Sequence, residues 1–412
     1  MPSFFSSYII FILVQGLAHS RDVKPVQERY LPDYKIYHNL TQIMNHVKLL
    51  EQNNPSYMKV DWSYKSRLGN PQMLIILKNH NTTNSPKLRM LLSFGEHSRE
   101  FLPVESAFHL LTNITNGLAA PIRSQQYKYS ALIISKIEMY IVIMMNPDGR
   151  LYVERTKNYC WRGTSEGVDL NRNFDWQFGG MGSSADKYDE EYRGEKPFSE
   201  PECRVLTELT MQYKFDAFFS LHSGIQQIYI PYADTLSKKT RRQPKNVSGM
   251  LQLAQQISDA TGNVYKYGLS WQLNDYTADG TLFDYMAGVR KIPYSLAIEL
   301  WGGGDTKDSK CFDLFNPPSA QLKRVLIKIH KVYESLFIYL INSQRRSISR
   351  IQHPELETPP LTLGYILLSA VIFLTVIVAF HHRLPTCLRL YPRRRIVSLR
   401  SLSSTFSTAL IR

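Results

Sequence analysis

Leu91-Leu92-Ser93-Phe94-Gly95-Glu96-His97-Ser98-Arg99-Glu100 is an apolar run that breaks into four ionisable side chains. Leu88 to Phe94 reads as a strand, and a buried strand does not hold an unpaired carboxylate or imidazole cheaply. The same pattern recurs twice. Phe218-Phe219-Ser220-Leu221 leads into His222-Ser223-Gly224, and Ser295-Leu296-Ala297-Ile298 leads into Glu299. Helical patterns separate these strands, which indicates an α/β fold with a mixed sheet covered on both faces. In such sheets sites lie where strands end, so these three strand ends are where the chemistry is to be sought.

Outward from them, Met73 to Leu77, Phe215 to Leu221, Ile228 to Ile230 and Tyr294 to Trp301 read as strands. Ala131 to Met145 is long and mostly apolar and reads as one central strand, closed by a tight turn at Asn146-Pro147-Asp148-Gly149. Leu40, Ile43, Met44, Val47 and Leu50 share a helical face, with Asn39 and Gln42 spaced as a capping pair. Pro103 to Ile114 reads as a helix with Val104, Ala107, Phe108 and Leu111 inward, which leaves Glu105 and His109 toward solvent. Leu251 to Ile257 and Ser319 to Asn342 are also helical. No repeat or low-complexity linker interrupts residues 30–345, which read as one domain.

The chain of 412 residues has a net charge of +14, but residues 381–412 hold seven arginines and no acid. The remainder is therefore +7, too mild to call for a nucleic-acid partner. Residues 1–20 read as a secretory signal peptide. Leu361 to Phe380 is a run of 20 residues without a charge, about the length that spans a bilayer. Residues 346–360 read as a stalk and the basic 381–412 as a cytoplasmic tail, giving a single-pass type I protein anchored in a lipid bilayer through 361–380. Its body would lie at the cell surface or inside a secretory or endolysosomal compartment. Sequons at Asn39, Asn81, Asn113 and Asn246 agree with that side. Cys160, Cys203 and Cys311 allow one disulfide in three pairings, and Cys387 is a palmitoylation candidate.

His97 and Glu100 are three apart, so one turn aims both at one ion, and His222 can arrive from another strand. Two histidines and a glutamate, with one position left for water, form a catalytic zinc set.

Together with Asn146-Pro147-Asp148-Gly149, Cys160-Trp161-Arg162, the run Val168 to Phe174, Tyr276 and Ile298-Glu299-Leu300, these residues resemble the zinc metallocarboxypeptidases of the A/B type. The likeness runs from about Tyr37 to about Asn342. It implies that family's eight-stranded sheet, one Zn²⁺ on His97, Glu100 and His222, and hydrolysis of C-terminal peptide bonds through a zinc-activated water. By resemblance Glu299 is the general base and Arg162 stabilises the oxyanion. Asn171 and Arg172 hold the substrate's terminal carboxylate, Tyr276 caps it, and Arg99 contacts substrate farther from the scissile bond.

Phe283 takes the family position that helps select the C-terminal side chain. An apolar group there favours aromatic or aliphatic over basic termini, although Asp234 and Asp279 could supply an acid from elsewhere. The short stretch before the first motif leads to the expectation of no inhibitory prodomain, and the final helix leaves no β-sandwich after the catalytic domain. Gly224 stands where pancreatic members have tyrosine. Two other functions compete: a zinc deacylase of acyl amino acids on the same site, and a non-catalytic surface receptor on the same fold. Oligomeric state is not legible.

Overall fold

The computed structural model describes residues 29–80, 87–302, 311–352 and 361–380. The signal peptide, residues 353–360 of the stalk, the tail and Asn81 lie outside the described residues. The chain divides into two units, Met1–Gln344 and Arg345–Arg412.

In the first unit eight strands form one sheet: β1 (Met58–Asp61), β2 (Leu74–Leu77), β3 (Leu88–Phe94), β4 (Ile137–Val142), β5 (Ala217–Gly224), β6 (Gln226–Ile230), β7 (Lys266–Leu269) and β8 (Tyr294–Gly302). Their order is β1-β2-β4-β3-β5-β8-β6-β7. The central four, β4-β3-β5-β8, are parallel, and the outer pairings β1/β2, β2/β4 and β6/β8 are antiparallel. The chain leaves β3 toward β4 on one side and later fills β5 and β8 on the other. The crevice at the carboxyl ends of β3, β5 and β8 is thus where the strand order reverses.

Alternate strand residues feed two apolar layers. Met90, Leu92, Phe94, Phe219 and Ile298 pack with α1 (Leu40–Asn53), α2 (Leu102–Ala119), α7 (Val247–Ala260) and α11 (Ser319–Gln352). Leu91, Phe218 and Ala297 pack with α5 (Arg204–Gln212) and α9 (Leu282–Gly288) on the opposite face. The period of two along a strand puts neighbouring residues on opposite faces, which is why both faces are covered. The α/β, eight-stranded expectation is met.

Three local readings are corrected. Residues 131–145 are not one strand: α3 (Gln125–Lys136) occupies the first part and β4 the second. Ser124 caps α3 at Tyr127 N, and Ser130, Ile133 and Ile134 are its buried stripe. A continuous apolar run carries no period by which to divide it. The Asn146 to Gly149 segment is a helix start rather than a free turn: Asn146 Oδ1 accepts from Gly149 N at 2.9 Å, and Pro147 opens α4 (Pro147–Thr156). Glu105 is buried, not solvated. Its carboxylate takes His38 N at 2.7 Å and His38 Nδ1 at 2.8 Å, because the N-terminal segment covers α2. Asn39 and Gln42 form the expected capping box. The disulfide is Cys160–Cys311, and Cys203 is a buried free thiol.

In the second unit α12 (Leu361–Phe380) carries no charged residue. Its side chains are described over 364–379. Among the described residues no helix is long and apolar enough to cross a membrane. A membrane anchor at 361–380 is thus an expectation from the sequence alone.

Candidate metal centre and catalytic cleft

The loop after β3 turns sharply at Gly95, whose φ is +69°, and a Cβ there would lie 2.1 Å from Met144 Cε. The following loop is bolted in place from three sides. Ser98 N donates to Arg162 O at 3.0 Å and Ser98 Oγ to Trp161 O at 2.8 Å. Asn146 Nδ2 donates to Glu96 O at 3.2 Å and to Gly163 O at 2.9 Å, joining the same two loops. Arg150 is fully buried and donates to Ser98 O and Glu100 O, with its guanidinium 3.6 Å from the Phe101 ring centre. These bonds fix the backbone that carries His97 and Glu100.

His97, Glu100 and His222 converge, each offering one donor atom with all three within 4.8 Å. The two Nδ1 atoms are 3.2 Å apart. Glu100 Oε1 is 2.6 Å from His97 Nδ1, and Glu100 Oε2 is 3.1 Å from His222 Nδ1. All three residues are buried. The far ring edges face carboxylates: His97 Nε2 is 3.3 Å from Asp169 Oδ1, and His222 Nε2 is 3.3 Å from Glu96 Oε2. Backing carboxylates orient metal-ligating imidazoles so that the inner nitrogen presents its lone pair. The donor set therefore fits a zinc ion, with His97, Glu100 and His222 as its holders. Burial works against a charged Glu100, yet His97 and His222 outweigh it and hold the carboxyl far below its ordinary range.

A cavity of about 530 Å³ opens over this floor, lined by Glu100, Arg99, Arg162, Arg172, Tyr276 and Glu299 among others. Glu299 stands at half-buried depth on β8, and its Oε2 has no hydrogen-bond partner. Desolvation and then the Glu100 charge push its pKa up to about 7, against the pull of His222 and Arg162. Arg162 donates Nε to Asp169 Oδ2 at 2.9 Å, and its Nη1 lies 3.3 Å from His97 Nδ1. Despite its desolvation, Asp169 and Glu100 raise the Arg162 pKa and keep it charged.

Arg172 lies in a 3₁₀ turn, Leu170–Arg172, beside Asn171. It is anchored by Gly182 O and Asn171 O, and its Nη2 holds Glu191 Oε1 at 2.9 Å. Asn171 Oδ1 accepts from Leu282 N at 2.9 Å, which fixes its amide. Tyr276 is 61 % exposed and lines the mouth of the cavity beside Tyr229. Arg99 Nη1 bridges Cys160 O at 2.9 Å and Glu190 Oε2 at 2.7 Å on the outer wall.

Phe283 and Asn171 do not line the cavity directly. Phe283 lies in the same apolar cluster as Tyr229, which does. The two acids left open as alternatives are committed elsewhere. Asp234 accepts from Trp176 Nε1 and Ser237 N, both at 2.8 Å, and Asp279 accepts from Gly182 N and from Thr235 N and Oγ1. Asp284 is buried, and burial pushes its carboxyl well above the ordinary range, toward the neutral form. At position 224 a side chain would meet the Phe315 ring at 3.0 Å, which explains the glycine.

In the sequence Glu96 and Asp169 fall within the motifs without a legible task, and Arg150 falls outside them. The signal was present for the two acids, since both flank ligand or arginine positions. Nothing in the sequence pointed to Arg150, whose partners are backbone carbonyls.

The chain is 29% identical over 286 residues to carboxypeptidase A1 of Mus musculus, covering 65% of this chain and 63% of that protein. It is 28% identical over 286 residues to carboxypeptidase A2 of Rattus norvegicus, with the same shares. It thus spans less than two thirds of the length of these relatives. Among solved structures, thrombin activatable fibrinolysis inhibitor superposes with a TM-score of 0.65 at 21% identity, covering 75% of each chain. Carboxypeptidase A from Helicoverpa armigera gives 0.65 at 19% identity, covering 76% of each. The family model for zinc carboxypeptidases, Peptidase_M14, matches residues 43–327, and the chain belongs to that family.

Proposed function

We propose that this chain is a zinc-dependent metallocarboxypeptidase that removes the C-terminal residue of peptides or proteins. The observation that carries this is one cavity in which the His97, Glu100 and His222 donors, Glu299 and two arginines converge. Zinc, when bound, supplies a Lewis acid that polarises a carbonyl and lowers the pKa of water to about 7. Glu299, with Oε2 unengaged, takes the proton of the attacking water and returns it to the leaving amine. Arg162, fixed on Asp169, offers its remaining N–H groups to the developing oxyanion.

Arg172 grips the substrate's terminal carboxylate, which replaces Glu191 on Nη2. Asn171 supports that grip, Tyr276 closes over it, and Arg99 meets the chain upstream. Phe283, with both candidate acids committed elsewhere, supports a preference for apolar or aromatic C-terminal side chains. A deacylase would use the same residues. The non-catalytic receptor reading has no observation in its favour, since base, ligands and clamp occur together.

We place the active site outside the cytosol, on a type I protein held by 361–380. The Cys160–Cys311 disulfide supports an oxidising compartment, and the uncharged sequence run 361–380 is what supports an anchor. The test is to incubate the zinc-loaded protein with a peptide library and follow loss of the last residue by mass spectrometry, with Glu299→Gln as control. Equal activity in the control removes the mechanism; deacylation alone, or release from the N-terminus, removes the carboxypeptidase reading.

A further inference from the structure

We propose that Glu96 is a positioning residue of the metal centre, acting through His222 to fix its tautomer and to supply charge beneath the ion. The proposal rests on the reading of His97, Glu100 and His222 as ligands.

Glu96 is 1 % exposed, at the carboxyl end of β3. No lysine or arginine pairs with it among the described salt bridges. Its Oε1 accepts from Ser220 Oγ at 2.5 Å, and its Oε2 lies 3.3 Å from His222 Nε2. Ser220 Oγ is also 2.7 Å from His222 Nε2. A hydroxyl has one proton, and an ionised carboxylate can only accept. The Ser220 proton therefore goes to Glu96, and Ser220 oxygen can only accept from His222. The Ser220 contact then demands a proton on Nε2, and the Glu96 charge 3.3 Å away favours that proton without a hydrogen bond of its own, which leaves the Nδ1 lone pair facing Glu100 and His97.

His97 is backed by Asp169 in the same way, but Asp169 is neutralised by Arg162 at 2.9 Å and Arg172 at 3.7 Å. Glu96 has no such partner. A buried carboxylate without a fixed cation is costly, and removing its compensating charge is destabilising. A bound dication would offset that cost. Glu96 thus differs from Asp169: one orients a ligand and an arginine, the other orients a ligand and favours the dication itself.

The test uses the intact protein, zinc as the probe, and competition with a chromophoric chelator. Wild type is measured first, and failure to bind one zinc would overturn the metal-centre reading rather than this one. In Glu96→Gln the amide puts an N–H donor near Ser220 and His222, favouring the wrong tautomer. Zinc affinity is expected to fall about 10–100-fold, and the visible spectrum of the cobalt-substituted protein should change. Glu96→Asp, which keeps the charge, should recover part of the affinity. At saturating zinc, KM for peptides should stay at the wild-type value, because Glu96 touches no substrate. Wild-type zinc affinity and cobalt spectrum in Glu96→Gln would overturn the proposal. So would failure of both variants to fold with zinc present, since that result marks a purely structural group. The zinc-induced rise in Tm is a second readout, expected to shrink in Glu96→Gln.

Discussion

His222 and Glu299 are register partners across the parallel strands β5 and β8. Partners in a parallel pair project to the same face, so the third proposed metal ligand and the proposed base leave the sheet side by side. A one-residue slip of β8 would send Glu299 to the opposite face. The proximity of His222 and Glu299 is therefore a property of sheet register, and several consequences can be measured.

Glu299→Gln is expected to lower kcat by about 10²–10⁴-fold while zinc affinity stays within a few-fold of wild type. Steady-state kinetics beside chelator competition separate the two. A parallel loss of zinc would mean that the residue acts as a ligand instead.

As a base Glu299 acts only when ionised, so kcat/KM rises with pH through its pKa. Burial and Glu100 push that pKa from the ordinary 4.5 up to about 7. A bound dication favours the carboxylate and pulls the value down. The acid limb of the loaded enzyme should thus have its midpoint between those two values and should vanish in Glu299→Gln. A limb that survives in that variant would belong to another group.

Arg172→Ala is expected to raise KM for peptides with a free C-terminus by about 10–100-fold, the value of a charge-assisted hydrogen bond. C-terminally amidated peptides should be poor substrates of wild type and little worse for the variant. Glu191→Gln removes the internal competitor at Arg172 and should lower KM about 2–5-fold, since a partly exposed pair is weak. An unchanged KM would show that substrate does not displace Glu191.

Phe283→Asp should shift the ratio of kcat/KM toward Lys and Arg termini over aromatic ones. Loss of a buried phenylalanine costs about 3–5 kcal/mol, so melting is checked alongside. A folded variant with wild-type selectivity would reject Phe283 as a selector.

Reducing or replacing the Cys160–Cys311 pair opens a loop with a sequence separation of 151 residues. Chain entropy puts the loss of stability at about 5 kcal/mol. Cys160 O also seats Arg99, so affinity for longer peptides should fall as well. Cys203→Ala, by contrast, should leave thiol-dependent stability untouched, because Cys203 forms no disulfide.

Much of this was legible in the linear chain. The polarity breaks after Phe94, Leu221 and Ile298 are local signals that mark the site, although β5 and β8 run on past them to Gly224 and Gly302. The spacing of His97 and Glu100, the uncharged run 361–380 and the arginine-rich tail are likewise local. Motif order then pointed to the family. Boundaries inside apolar stretches were not legible: residues 131–145 hold a helix and a strand because hydrophobicity without a period does not distinguish them. Glu105 looked solvated because its helix face is covered by a segment about 70 residues earlier, and such cover leaves no mark on the helix itself.

By itself the sequence determined which residue types could meet an ion, a carboxylate and a peptide bond. Only the tertiary structure decided which acid serves which histidine. Glu96 and Asp169 are distant in the chain and look alike as carboxylates. They differ because β5 carries His222 and Ser220 to one of them, while the 3₁₀ turn and the loop at Arg162 surround the other with guanidinium groups. Electrostatic character of that kind is set by which charges lie within a few ångströms, and that is fixed by packing rather than by neighbours in sequence.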